Sequence, residues 1–242
     1  MNEFIGVFGL ITSLVIGMRG LFLYYINRQN IKEILGFDFS LKILGILLFL
    51  FIVIFTIFSL LTYLNIHLDL IRVDLHYSFK TLGSEVIGFI SGAFLEEFFF
   101  RALLFLSLIQ LIKYNSVLVI VTSILFSTFH FPENFLHFTS YFLGGVIYGY
   151  SFIKFQNFLF PVWIHFSWNF IQGAIFGYPV SGVISEGIFS LSITPDTIFN
   201  GGDQGPEGSF SGIILRLFIV LMIYAFPYKS SKKKFLKIIE DK

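Results

Sequence analysis

Long apolar runs are the feature of this sequence that most limits its possible folds. A helix that crosses the hydrocarbon core of a bilayer needs about 20 apolar residues, within a range of about 17 to 25. Seven stretches approach or meet that length: Phe4–Ile26, Ile43–Leu64, Val86–Ile112, Ser116–Phe131, Phe138–Ile153, Phe158–Tyr178 and Gly212–Phe226. The sequence therefore predicts an all-α fold, a polytopic membrane bundle of about seven to eight transmembrane helices.

The composition agrees with a lipid environment. Charged residues make up 13% of the chain, whereas soluble domains carry about 25%. A soluble fold of this size could not hide the 35 phenylalanines without exposing large apolar patches. The net charge of +1 gives no sign of a nucleic-acid partner, and the absence of cysteine excludes disulfides and thiolate metal sites. The N-terminus has no basic leader and no small-residue cleavage site, which predicts a retained membrane segment.

Two long polar connections interrupt the apolar runs. Asn65–Glu85 carries several charges and is predicted to lie at the membrane interface. Pro179–Ser211 is rich in glycine, serine and acidic residues, which is typical of a loop. This loop is either a plain linker or a lid over a functional site.

The distribution of basic residues predicts the orientation of the bundle, because cytoplasmic loops carry an excess of lysine and arginine. If all seven runs span the membrane, one side collects most of these residues: Arg28, Lys32, Lys42, Lys113, Lys154, Lys229, Lys232, Lys233, Lys234, Lys237 and Lys242. The other side carries the acidic loop. We therefore expect an external N-terminus and a cytoplasmic C-terminus, with residues 229–242 forming a basic cytoplasmic tail.

Charged residues inside the third apolar run are the first sign of function. Each ionisable residue at the centre of a membrane helix costs about 2.5–3.5 kcal/mol on insertion scales. Glu97 and Arg101 are four residues apart, so they share a helix face and can pair. Glu96 is rotated about 100° from Glu97. We therefore expect Arg101 to neutralise Glu97, as a structural ion pair, and Glu96 to remain available for chemistry.

Two later runs add histidine and amide groups. Phe126 and His130 share a face near the end of the fourth run, and His165 and Asn169 share a face of the sixth. A short turn joins the third and fourth runs, so Glu96 and His130 reach a similar depth, about 23–26 Å from that turn. His165 lies only about 12 Å from the next inner turn and meets the others only if that turn is sunk into the membrane.

Other ionisable residues in or near the apolar runs are expected to have no role in a site. Arg19 and Arg216 are isolated near segment ends, where snorkelling to the interface is the expected behaviour. His67, His76 and His137 fall in loops or at helix ends.

The three polar motifs, taken in order, resemble those of the CPBP family. This family comprises CAAX prenyl endopeptidases and bacteriocin-processing enzymes, also called Abi proteins. The motifs stand here as Glu96-Glu97-x-x-x-Arg101, Phe126-x-x-x-His130 and His165-x-x-x-Asn169. The resemblance covers roughly residues 84–178, and the Gly-Pro-Glu-Gly stretch at 205–208 is similar to bacterial members. It divides the chain into N-terminal transmembrane helices at 1–83, a catalytic core at 84–228 and the basic tail.

The resemblance implies an intramembrane endopeptidase that acts on membrane-associated peptides or lipidated proteins. Glu96 and His130 would activate water, and His165 and Asn169 would stabilise the oxyanion. Glu97, Arg101 and Phe126 would support the site. No cofactor is expected, because an amide one turn from a histidine suits oxyanion binding better than metal binding. Zinc held by Glu96, His130 and His165 is the alternative.

Two other classes of function remain open from the sequence. A non-catalytic membrane protein, such as a bacteriocin immunity factor or a scaffold, would use the same polar residues for helix packing. A small proton-coupled transporter would use buried glutamate and histidine as a proton relay. The transporter is the weakest of these hypotheses, because the sequence shows no repeated halves.

Overall fold

The computed structural model describes residues 3–27, 35–75, 79–109, 111–112, 114–185, 188–193 and 198–228. Within these ranges the chain is mostly helical. Its α-helices are α1 Glu3–Asn27, α2 Leu41–His67, α3 Phe79–Glu97, α4 Phe105–Leu108, α5 Asn115–Phe129, α6 Phe135–Phe155, α7 Leu159–Phe170 and α8 Phe210–Ala225. Each of the seven apolar runs overlaps one or more of these helices, and the predicted all-α bundle is confirmed.

Three further helical elements and one small sheet complete the described fold. Phe98–Leu104 and Ile171–Ile175 are π-helical and continue α3 and α7 without a break, and Gly202–Gly208 forms a 3₁₀-helix. Strands β1 (Ile71–Leu75) and β2 (Phe189–Ile193) pair antiparallel. The sheet joins the two long connections to each other, so neither connection is wholly irregular.

Three helical stretches are long and apolar enough to cross a membrane on their own. Within the described residues they are Gly6–Leu23, Leu41–His67 and Gly202–Ala225, and Asn115–Phe129 is apolar but shorter. Large apolar side chains such as Phe8, Met18 and Leu60 are more than 60% exposed on these helices. A chain with such faces is a membrane protein, since water would not tolerate them. The predicted total of seven to eight spans remains a prediction.

Helix α7 forms the centre of the bundle. Phe160, Ile164 and Trp168 lie along it and are at most 1% exposed. These side chains belong to one apolar cluster with residues of α2, α5, α6 and α8. The histidine and amide motif of α7 is therefore placed on the most enclosed helix of the bundle.

Glycines allow helix α1 to pack closely against the core. A Cβ atom built on Gly20 would overlap the carbonyl oxygen of Leu103, and one on Gly9 would overlap Oγ1 of Thr128. Small residues at such contacts let helix backbones approach in a membrane, where dispersion replaces the hydrophobic effect.

We expect Gly20→Ala to lower the free energy of unfolding by about 1–3 kcal/mol, because the new methyl group meets backbone that cannot rotate away. Gly45→Ala on α2 is the matched control, since nothing lies within 4 Å of its added Cβ. The control should be neutral or up to about 1 kcal/mol more stable, as alanine favours helix. Titration with a denaturing detergent in mixed micelles measures both. Equal effects of the two substitutions would contradict the close packing of α1.

Candidate active site

Glu96 and His130 face each other where the end of α3 meets the end of α5. Oε2 of Glu96 lies 3.4 Å from Nε2 of His130. The carboxylate side chain is 33% exposed, although Oε2 itself is buried, and the histidine side chain is 13% exposed. The predicted common depth of the two residues is thus correct. A separation slightly longer than an ordinary charged hydrogen bond is usual for catalytic pairs without substrate.

The His130 ring is held on several sides. Its Nδ1 donates to the carbonyl oxygen of Phe126 at 2.8 Å, which leaves Nε2 directed at Glu96. The rings of Phe126 and Tyr141 lie 4.4 Å and 4.8 Å from the imidazole, centroid to centroid. This contact places a proton on Nδ1 and leaves Nε2 free to exchange a proton with a neighbouring group.

Glu97 is the centre of a separate, fully buried ion pair. Its carboxylate lies 3.1 Å from Nε of Arg101, and both side chains are completely buried. The other carboxylate oxygen lies 2.9 Å from Nδ1 of His165. Arg101 also donates to the carbonyl oxygen of Gly145 at 2.8 Å and packs against the ring of Phe126 at 5.0 Å. These contacts agree with the expectation that Glu97 forms a structural ion pair with Arg101 and that Glu96 does not.

The π-helical stretch Phe98–Leu104 begins directly after the two carboxylates. A π-turn inserts an extra residue and shifts the following side chains around the helix, and such turns are frequent at functional sites. Arg101 lies in this stretch and reaches Glu97 across it. The second π-helical stretch, Ile171–Ile175, likewise begins two residues after Asn169.

His165 reaches the site because the turn before α7 is sunk into the protein. Asn157 is 2% exposed and Phe158 is fully buried. The chain segment before α2 covers that turn: the Phe158 amide donates to the carbonyl oxygen of Leu35, and the Asn157 side chain donates to that of Asp38. The sequence alone offered no support for this sunken turn. His165 then stacks on Tyr148 at 4.4 Å and contacts Glu97 instead of pairing directly with Glu96.

Asn169 lies one helical turn beyond His165 on α7 and is half-buried. Its side-chain amide has no hydrogen-bond partner among the described residues. The amide is therefore available to a ligand.

The site does not gather three metal ligands. Across the described ranges, no group of three or more histidine, aspartate or glutamate side chains is placed to hold a metal ion. The alternative zinc ligands are divided, with Glu96 and His130 facing each other and His165 Nδ1 on Glu97. The described donor set thus gives the zinc alternative no support.

A comparison with known families identifies this part of the chain. Residues 79–171 match the model of the family described as type II CAAX prenyl endopeptidase Rce1-like, and all three polar motifs fall within the match. Over these residues the chain is similar to the CPBP family. The matched residues include the helices that carry Glu96, His130 and His165. No curated protein and no solved structure gives a significant match to the chain.

The expectation for the two isolated arginines was wrong. Arg216 does not snorkel: it is 2% exposed, lies 2.7 Å from Glu207 and donates to Ser140 Oγ at 2.6 Å. Arg19 is half-buried and donates to the carbonyl and hydroxyl oxygens of Ser107. An arginine near a segment end is expected to snorkel only when no partner lies within reach. The partner of Arg19 is 88 residues away along the chain, and the partner of Arg216 is Glu207 in the loop.

The acidic loop is packed onto the helices of the bundle. Glu207 accepts from the backbone amide of Ser181 at 2.6 Å in addition to its pairing with Arg216. Gly205, Pro206 and Gly208 are buried. A polar cavity of about 270 Å³ opens beside the loop, lined in part by His137, Asp203 and Gln204. The segment 201–208 is thus an ordered part of the core.

Sequence reasoning missed two tyrosines that line the site. Tyr141 stacks on His130, and Tyr148 stacks on His165. The two are seven residues apart on α6, so they share one helix face with Gly145, whose carbonyl accepts from Arg101. This spacing was visible in the sequence. It was overlooked because tyrosines in an apolar helix are usually part of the packing.

Proposed function

We propose that the chain is an intramembrane endopeptidase in which Glu96 and His130 activate the attacking water. The observation that carries this proposal is the 3.4 Å approach of the Glu96 carboxylate to the His130 imidazole inside a CPBP-family segment. Peptide hydrolysis requires a base for water and an acid for the leaving amine. A facing carboxylate and imidazole can supply both.

Glu96 takes a proton from water while the water oxygen bonds to the carbonyl carbon of the substrate. The tetrahedral intermediate then collapses, the C–N bond breaks, and the proton passes to the departing amine through His130. The negative oxygen formed on the way accepts hydrogen bonds from the Asn169 amide and from the His165 ring. Donors placed for such an oxygen make a large contribution to catalysis.

Glu97 and Arg101 support His165 in this mechanism. Because His165 Nδ1 faces Glu97, its Nε2 can donate to the oxyanion only when the ring carries both protons. Arg101 in turn holds the Glu97 carboxylate in place. Phe126 separates the two histidine rings, at 4.4 Å from His130 and 6.1 Å from His165.

The substrates we propose are membrane-associated peptides or lipidated proteins, cut close to a hydrophobic or lipid-bearing end. The chain would lie as a multi-pass protein in the cell membrane with its C-terminus in the cytoplasm. Arg28, Lys32, Lys113 and the tail 229–242, which carry much of the orientation argument, lie outside the described residues. Reporter fusions at the two termini test the orientation directly.

Mass spectrometry of peptides tests the proposed function. Membrane and secreted peptides are compared between cells that make the native chain and cells that make Glu96→Gln. We expect a set of peptides that is cut only by the native chain. Identical peptides in both would contradict the proposal and favour a scaffold or immunity function. A quenched fluorescent peptide that spans an identified bond then serves as the reporter peptide for kinetics.

Asn169→Ala should lower kcat on the reporter peptide by about 10²–10³-fold, because one oxyanion donor is lost. The side chain is half-buried and makes no bond to other described residues, so stability should change little. Ser167→Ala, on the same helix, is the matched control for truncation of a polar side chain. A loss of stability without a fall in kcat per folded molecule would contradict the oxyanion role.

A strong zinc chelator should leave the rate of reporter cleavage unchanged. The proposed chemistry assigns every proton to a side chain, and the described residues gather no triad of metal ligands. Activity is measured before and after prolonged dialysis against the chelator. Loss of activity that added zinc restores would replace the proposal with a metalloprotease that uses Glu96, His130 and His165.

A further inference from the structure

Tyr141 lies directly against the proposed catalytic histidine. Its ring is stacked on the His130 imidazole at 4.8 Å with 24° between the planes, and the residue is 5% exposed. The backbone contact to Phe126 fixes one edge of the imidazole, and Tyr141 covers one face. The direction of Nε2 toward Glu96 therefore depends on the placement of Tyr141.

Tyr141 is in turn bonded to the ordered loop. Its hydroxyl donates to Oε1 of Gln204 at 3.1 Å. Gln204 lies in the 3₁₀-helix Gly202–Gly208, 63 residues away along the chain. This bond is a direct contact from the loop to a residue that touches His130.

A buried ion pair fixes the loop in the position that this bond requires. Glu207 follows Gln204 by three residues, is 4% exposed and lies 2.7 Å from Arg216 of α8. It also accepts from the Ser181 amide at 2.6 Å and hydroxyl at 3.1 Å. The Arg216 guanidinium lies 4.6 Å from the Trp168 ring centroid, on the helix that carries His165. The loop is thus held at Gln204 by α6 and at Glu207 by Arg216 of α8, which packs against Trp168 of α7.

We propose that Tyr141 and Gln204 are positioning residues that orient the His130 imidazole toward Glu96, so that the loop at 201–208 completes the active site. This inference rests on the proposed peptidase function. Neither residue touches the reacting atoms. Their effect is on the alignment of the pair that activates water, and misalignment of such a pair lowers the rate of the chemical step more than it lowers substrate binding.

Kinetics of a pair of variants test the proposal. Tyr141→Phe keeps the stacked ring and removes the hydroxyl, and Gln204→Ala removes the acceptor. Each should lower kcat on the reporter peptide about 3–10-fold, the size expected for one neutral hydrogen bond, with KM unchanged. The double variant should be no worse than Tyr141→Phe alone, because that variant already removes the hydroxyl that bonds Gln204. Tyr150→Phe, on the same helix but beside an apolar groove, should leave both constants unchanged.

Several results would overturn the proposal: unchanged kcat in both single variants, losses that multiply in the double variant, or a rise in KM at constant kcat. Glu96→Gln in the same assay distinguishes a failure of the positioning inference from a failure of the proposed peptidase function. If Glu96→Gln is inactive and Tyr141→Phe is fully active, the positioning inference fails and the peptidase stands. If Glu96→Gln is fully active, the peptidase mechanism itself fails.

A spectroscopic measurement gives a readout that does not need turnover. The chain has five histidines, so ¹⁵N-labelled imidazole signals in micelles are few, and His130→Ala identifies the signal of interest. Tyr141→Phe and Gln204→Ala should each shift or broaden the His130 signal and leave that of His67 in place. An unchanged His130 signal in both variants would overturn the proposal even if the rates fell.

Discussion

Glu96→Gln should reduce reporter cleavage by about 10²–10⁴-fold while the purified protein remains folded. The amide has nearly the shape of the carboxylate but cannot accept a proton from water, and that is the contribution expected of a general base. Because the side chain is only partly buried and forms no ion pair with an arginine of the described residues, its charge is not needed for packing. The rate is measured with the reporter peptide in detergent, together with the unfolding curve.

Glu85→Gln is the matched control for this substitution. Glu85 lies on the same helix, about 16 Å toward its N-terminus. Activity should be retained in Glu85→Gln and lost in Glu96→Gln. Retention of full activity in Glu96→Gln would remove Glu96 from the mechanism.

Arg101→Met should destabilise the protein by about 3–5 kcal/mol. The substitution leaves the carboxylate of Glu97 without its main counter-charge in a place where neither side chain is exposed, and an unpaired buried charge carries a penalty of that size. It also removes the donor to the Gly145 carbonyl that ties α3 to α6. The free energy of unfolding in mixed micelles measures the effect.

A double variant separates charge from packing at this ion pair. Glu97→Gln combined with Arg101→Met removes both charges and should be more stable than Arg101→Met alone. Arg72→Met, on the exposed face of β1, is the control for loss of an arginine and should be close to neutral. If the double variant is less stable than Arg101→Met, the unpaired charge of Glu97 is not the cause of the destabilisation.

Helical periodicity was enough to predict the local part of the site. The spacing of Glu97 and Arg101 predicted their ion pair, and the 100° offset of Glu96 predicted that it would face elsewhere. Chain lengths on either side of a short turn predicted that Glu96 and His130 share a depth. These relations hold because they depend only on helix geometry and on one tight connection.

Contacts that depend on loop paths could not be predicted in the same way. Hydropathy places Arg216 near a helix end but gives no information on Glu207, which reaches it from a 3₁₀-helix outside the apolar run. The sunken turn at Asn157 depends on the segment just before α2. Asp38 in that segment is 119 residues away from Asn157 in sequence. The π-helical stretches have no signature in apolar periodicity, which continues through them.

The central claim is that Glu96 and His130 act together on one water molecule, and a double-mutant cycle on kcat/KM tests it most directly. Groups that act as a unit in catalysis show strongly non-additive losses. The account predicts that Glu96→Gln, His130→Ala and the double variant all fall to about the same residual rate. Losses that multiply in the double variant would show that the two residues act independently and would contradict the account.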